Sequence, residues 1–419
     1  MGQLVDDRAS DREAAETGVE DPDRGVDLAT RSGVVQVPHP ARLRRRGVRS
    51  RHSGTQITSR QAYPGPVTSL SRTRSALVLL ATLSALVTGA ATAPGHAVAP
   101  TPVGPAGTDL APRAVNAKHV IAISVDGLNP RALNKLGRAR TPYLHQLISE
   151  QGAGTLNARS QLEMTVTLPN HTSMVTGRRI KASRGGHGVT WNDDTVTKSV
   201  QQAAGHPVSS VFEVVHAGGG STAVYATKSK FLLFERSWPA AVDKNVIKVE
   251  KNAAVVRALR QDLARKAPSF AFLHLGKPDQ VGHDHGWLSP RYLDAVATVD
   301  RLIGTVLNQI RSTPSLKSST VVVLTADHGG IPGATRHSDI HNRENYRVPF
   351  AVWGAGITRA DLYQLNRTTR ANPGRTRPGF GAARQPIRNG ELANVSLSIL
   401  GLGPVPGSLW DRAQDLRWR

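Results

Sequence analysis

The sequence contains no cysteine. That excludes a disulfide framework, a catalytic thiol and any thiolate metal site, so a bound metal would have to sit on oxygen and nitrogen. It does not exclude export. Aromatic residues are scarce at 5% and methionines number three, which leaves few platforms for stacking bases along a nucleic acid. Acidic residues are outnumbered by basic ones, 31 to 53, for a formal net charge of +22. Because the arginines are scattered, the excess fits a basic enzyme that steers an anionic substrate better than a nucleic-acid binder. No specific nucleic-acid partner is expected, and oligomeric state is not legible. Finally, no apolar run reaches the roughly 20 residues of a membrane-spanning helix.

What is present divides into unequal parts. Residues 1–73 are polar, rich in Gly, Arg and Asp, and without apolar periodicity, which predicts a disordered N-terminal extension. Residues 74–99 have the layout of a secretory signal peptide. Arg72 and Arg74 precede a short apolar run, and Ala97-Val98-Ala99 supplies a cleavage site of small residues. The expected location is therefore secreted or extracytoplasmic, with membrane anchoring if that segment stays uncleaved. A Pro/Ala/Gly linker covers 100–116, a catalytic domain is expected over 117–410, and 411–419 reads as a C-terminal tail.

From residue 118 onward, strand-like apolar runs alternate with helical periodicity. Strands are expected at His119–Val125, Ala223–Ala226, Phe270–Leu275, Val321–Thr325 and Val348–Trp353. Helices are expected at Thr141–Gly152, Ser210–Val215, Ala253–Lys266, Pro290–Arg311 and Leu392–Leu400, with a long surface loop over 365–390. This alternation predicts an α/β fold whose central, mostly parallel sheet carries helices on both faces.

Ligands of open α/β sheets bind beyond the carboxyl ends of strands. Three runs end in candidate metal ligands: Asp126 follows the first, Asp279 and His283 follow Phe270–Leu275, and Asp327 and His328 follow Val321–Thr325. His337 lies further on. Carboxylates and imidazoles gathered at one sheet edge suit divalent cations. Taken singly, Asp126 reads as a turn residue. Jointly, the three motifs point to one site.

The motifs are Val-Asp-Gly ending at Gly127, Thr167-Leu-Pro-Asn-His with Val-Thr-Gly following, Asp279-x-x-Gly-His, Thr325-Ala-Asp-His-Gly, and His337-Ser-Asp upstream of Tyr346-Arg-Val-Pro-Phe. In this order they resemble the nucleotide pyrophosphatase/phosphodiesterase branch of the alkaline phosphatase superfamily. The resemblance implies two divalent ions, with zinc favoured. One would be held by Asp126, Thr167, Asp327 and His328, the other by Asp279, His283 and His337. His341 is the alternative to His337. It further implies attack by Thr167 on phosphorus, a phosphothreonine intermediate and its hydrolysis. Thr165, Thr172 and Ser173 are neighbouring alternatives, but Thr167 holds the motif position.

Asn192 matches the family's phosphate-binding amide across a longer spacing, with Asn170 as the fallback. Residues His171–Gly177 are expected to begin a helix behind the nucleophile, and His171 reads as a structural neighbour. Leu168 stands where the family's nucleotide hydrolases often carry an aromatic, which weakens the case for a nucleotide substrate. The expected activity is hydrolysis of phosphodiester or pyrophosphate bonds in a small phosphate ester. Alternatives are a phosphomonoesterase or phosphonate hydrolase of the same superfamily, or a secreted basic binding protein with a vestigial site. A sulfatase would need a Ser-x-Pro-x-Arg motif, which is absent.

Overall fold

The computed structural model describes residues 117–419. The expected extension 1–73, signal segment 74–99 and linker 100–116 lie outside the described residues. Eight strands form one sheet: β1 His119–Val125, β2 Ala153–Arg159, β3 Thr222–Ala226, β4 Lys244–Ile247, β5 Phe270–Leu275, β6 Thr320–Thr325, β7 Arg347–Gly354 and β8 Ala360–Asp361. Their order is β4-β3-β5-β1-β6-β7-β2-β8. The run β4-β3-β5-β1-β6 is parallel throughout, and β7 lies antiparallel between β6 and β2.

The central strands are buried along nearly their whole length, as a sheet covered on both faces requires. One helical layer contains Pro130–Arg140, Asn252–Arg265 and the long helix Pro290–Ser312. A second contains Thr167–Thr176, Val211–Ala217 and Leu392–Ile399. The mostly parallel α/β architecture read from the sequence is the one observed.

Several details differ from the sequence reading. Strand β2, Ala-Gly-Thr-Leu-Asn-Ala-Arg, was not expected. Its Gly154 is required because Ile148 backbone atoms pass within 2.3 Å of where a Cβ would stand. The helix expected over Thr141–Gly152 begins with Pro142 in its first turn as foreseen, but ends at Glu150 in a widened π turn. The loop 365–390 is irregular, yet Arg370 and Arg388 are buried within it. The core cluster also reaches Leu416 and Trp418, past residue 410. No helix among the described residues is long and apolar enough to cross a membrane.

Candidate metal centre and nucleophile

The parallel strands β3, β5, β1 and β6 are neighbours, so their carboxyl ends lie side by side. Each delivers a charged or metal-binding group there. Asp126 follows β1. Asp279 and His283 lie on the helix Lys277–His285, which follows β5 after one residue. Asp327 and His328 follow β6, and Lys228 follows β3. His337 reaches the same place from the loop beyond β6.

Each of the three aspartates is half satisfied. Asp126 Oδ2 accepts from His274 Nε2 at 2.8 Å and from Lys228 Nζ at 2.6 Å. Asp279 Oδ2 accepts from the same Lys228 Nζ at 2.6 Å. Asp327 Oδ1 accepts from the Gly127 amide at 3.0 Å. The second oxygen of each is buried without a hydrogen-bond donor, as is His328 Nε2. Those orphan atoms face one another. His328 Nε2 lies 3.5 Å from Asp126 Oδ1, 3.6 Å from Asp279 Oδ1 and 3.2 Å from Asp327 Oδ2.

The imidazoles are prepared in the same way. A carbonyl can only accept, so a ring nitrogen facing one must carry the proton. His283 Nδ1 donates to Thr335 O, His328 Nδ1 to Gly329 O and His337 Nδ1 to Thr165 O, at 2.8, 2.8 and 2.6 Å. Their Nε2 lone pairs are thereby turned inward. Two of them, on His337 and His283, stand 3.2 Å apart. Buried acceptors facing acceptors call for a cation. The donor set therefore fits divalent metal in two overlapping groups, Asp126 with Asp327 and His328, and Asp279 with His328 and His337.

Charge follows geometry. Burial alone would raise Asp126, but Lys228 and the His274 hydrogen bond outweigh it and hold the carboxyl well below its usual range. Asp327 has no such cation. Burial and the nearby charges of Asp126 and Asp279 push it well above the usual value. Burial lowers His328, and lowers His337 to about 3, so both rings are neutral at neutral pH.

Trp287 forms the floor. It is fully buried, its Nε1 donates to Gly127 O at 2.9 Å, and its ring packs edge-on against His283 and His337. A Cβ at Gly282 would lie 2.7 Å from this indole, and one at Gly330 only 2.1 Å. Neither position has room for one.

Thr167 begins the helix Thr167–Thr176, so the helix starts at the candidate nucleophile rather than at His171. Pro169 is tolerated because first-turn amides have no partner within the helix. The competing hydroxyls are engaged. Thr165 Oγ1 donates to His337 O, Thr172 Oγ1 donates to Leu168 O, and Ser173 Oγ bonds His187. Among the described residues Thr167 Oγ1 has no protein hydrogen bond, and Thr167 lines a pocket of about 320 Å³ with Asn192, Asp279 and His283.

Asn192 Oδ1 accepts from the Leu168 amide at 2.8 Å, which leaves its NH2 donors for the pocket. Asn170 instead spends its amide on Gln161, Met164, Val166 and Asn389. His171 donates from Nδ1 to Thr167 O and accepts from Ser124 Oγ, and so is a structural neighbour. His337 is buried in the cluster, whereas His341 is exposed. Sequence reasoning missed Lys228, His274 and Trp287. Lys228 could have been found by the rule that flagged the aspartates, since it lies two residues past a recognised strand.

The family model described as type I phosphodiesterase / nucleotide pyrophosphatase matches residues 120–348. GPI ethanolamine phosphate transferase 1 of Neurospora crassa is 26% identical over 260 residues, covering 58% of this chain and 24% of that protein. Ectonucleotide pyrophosphatase/phosphodiesterase family member 1 of Mus musculus is 25% identical over 245 residues, covering 55% of this chain and 26% of that protein. The chain thus spans about a quarter of the length of these relatives. Murine ectonucleotide pyrophosphatase / phosphodiesterase 5 superposes with a TM-score of 0.54 at 14% identity, covering 72% of this chain and 100% of that one. That last likeness is one of fold.

Proposed function

This chain belongs to the type I phosphodiesterase / nucleotide pyrophosphatase family, and from that premise we propose that it hydrolyses phosphodiester or pyrophosphate bonds through a phosphothreonine at Thr167. The observation that carries the reading is the set of buried, converging acceptors on Asp126, Asp279, Asp327 and His328 beside an unengaged threonine hydroxyl.

Asp126, Thr167, Asp327 and His328 would hold one divalent ion, and Asp279, His283 and His337 the other, with zinc fitting the nitrogen and oxygen donors. Such ions, when bound, lower the pKa of a coordinated hydroxyl or water and offset phosphate charge. Thr167 Oγ forms the new bond to phosphorus as the bond to the leaving oxygen breaks. The helix N-terminus beginning at Thr167 and the Asn192 amide stabilise the charge that develops on the phosphoryl oxygens. Water then cleaves the Oγ–P bond and regenerates the hydroxyl. The transferase relative favours a second reading of this last step, in which an alcohol takes the phosphoryl group instead. The domain beginning at residue 117 would act outside the cytoplasm, exported by the segment 74–99.

The test is hydrolysis of bis(p-nitrophenyl) phosphate against p-nitrophenyl phosphate, with Thr167→Ala and a chelated sample alongside. Diester turnover that falls at least ~10³-fold in both controls is expected. A preference for the monoester would move the chain to the phosphatase reading, and turnover surviving in Thr167→Ala would remove the covalent mechanism. Product analysis with added glycerol separates hydrolysis from transfer.

A further inference from the structure

The pocket beside Thr167 holds two ammonium groups that the reaction scheme does not use. Lys228 and Lys230 both line it, together with Thr167, Asn192, Asp279 and His283, and no Phe, Tyr or Trp side chain does. Lys228 Nζ has three donors. Two go to Asp126 Oδ2 and Asp279 Oδ2, and the third has no protein acceptor among the described residues. Lys230 Nζ is held by oxygens of Asn192 and, among the described residues, has no carboxylate in ion-pair contact. Glu250 and Asp284 also line the pocket, but both are exposed and neither pairs with Lys230.

A half-buried cation without a counter-ion, placed two residues from another cation, is strained by desolvation and by repulsion. An anion between the two relieves both. The volume of about 320 Å³ suits a small molecule, and no aromatic side chain lines this pocket itself, the partly exposed Trp191 facing the adjoining recess with Leu168 and Lys230.

We propose that Lys230, backed by the free donor of Lys228, binds a second anionic group on the substrate, a phosphate or carboxylate attached close to the scissile phosphorus. The preferred substrates are then small and doubly anionic, rather than nucleosides or esters of a cationic amino alcohol. This rests on reading the site as one for phosphoester chemistry, and it selects among the substrates which that reading allows.

Because Lys230 also holds Asn192, rates would mix two effects, so the readout is binding. Methylphosphonate (one anionic group), phosphonoacetate (a second, carboxylate) and methylenediphosphonate (a second, phosphonate) are titrated calorimetrically into the zinc-loaded chain carrying Thr167→Ala. The titrations are repeated with Lys230→Met and Lys230→Arg added. Lys230→Met is expected to weaken at least one two-anion probe by about tenfold or more, and methylphosphonate by less than about threefold. Lys230→Arg retains most of the preference. The probe that loses more identifies the second group as carboxylate or phosphate.

Equal losses for all three probes, or none for any, would overturn the proposal. If the diester assay finds no Thr167-dependent turnover, the hydrolase reading fails instead, and the titrations still report on the lysines.

Discussion

Two groups of buried carboxylates lie in this molecule, and they are completed differently. Around Arg370 the network closes on itself. The guanidinium reaches Glu391 at 3.2 Å, Asp411 at 2.9 Å and Asp415 at 2.9 Å. At the sheet edge, Asp126 and Asp279 share one lysine, Asp327 has none, and an oxygen of each of the three stays orphaned. A buried network that serves only the fold satisfies its polar atoms. One that leaves several acceptors aimed at each other is completed by something the chain does not supply.

The contrast breaks most sharply at Asp327. Asp327→Asn keeps the bond from Gly127 but removes the charge, and is expected to lower metal-dependent turnover at least ~10³-fold, about 4 kcal/mol of barrier. In chelated protein the same change is expected to raise stability by about 1 kcal/mol, because Asp327 is the carboxyl that burial and then its charged neighbours push towards the neutral form. A loss of stability there would show that the orphan oxygens are satisfied in some other way.

Arg370→Met should do the reverse. It strands Glu391 and Asp411 and is expected to reduce stability by about 3–4 kcal/mol in a denaturant melt, while turnover per folded molecule holds. His337→Ala should weaken metal binding more than tenfold by calorimetry, and His341→Ala less than twofold. The opposite ranking would transfer the ligand role to His341.

A pH-dependent effect concerns Asp300, a buried carboxylate that among the described residues accepts only from the Leu144 and Tyr143 amides. Burial raises it to about 6. The folded state therefore holds its proton above the unfolded value, so the contribution is full below about pH 4 and is lost as pH rises through 6. Relative to Asp300→Asn, wild-type stability is expected to fall between pH 4 and 7 by about 1–3 kcal/mol. A flat difference across that window would show Asp300 ionised throughout.

The legible parts of the molecule were those where one residue type serves one purpose. Apolar runs of Val, Ile and Leu announced β1, β5 and β6, and the aspartates and histidines just past them announced the site. Strand β2 was hidden because its glycine, asparagine and arginine answer to local packing rather than to alternation. Lys228 was hidden because Lys-Ser-Lys reads as solvated surface until β3 is placed beside β5. His274 was hidden inside a strand, where an imidazole reads as core. Only the neighbour relations of the strands, which are tertiary, bring these residues to Asp126.

Trp287 has a consequence of another kind. Its indole fills the space that side chains at Gly282 and Gly330 would need. Gly282 and Trp287 on one segment and Gly330 on another are therefore inherited as a unit. A lineage can enlarge neither glycine while the tryptophan stands, and shrinking the tryptophan first would leave His283 and His337 without their floor. Drift at this spot is blocked by the order in which changes must come, even where each end state would be tolerable.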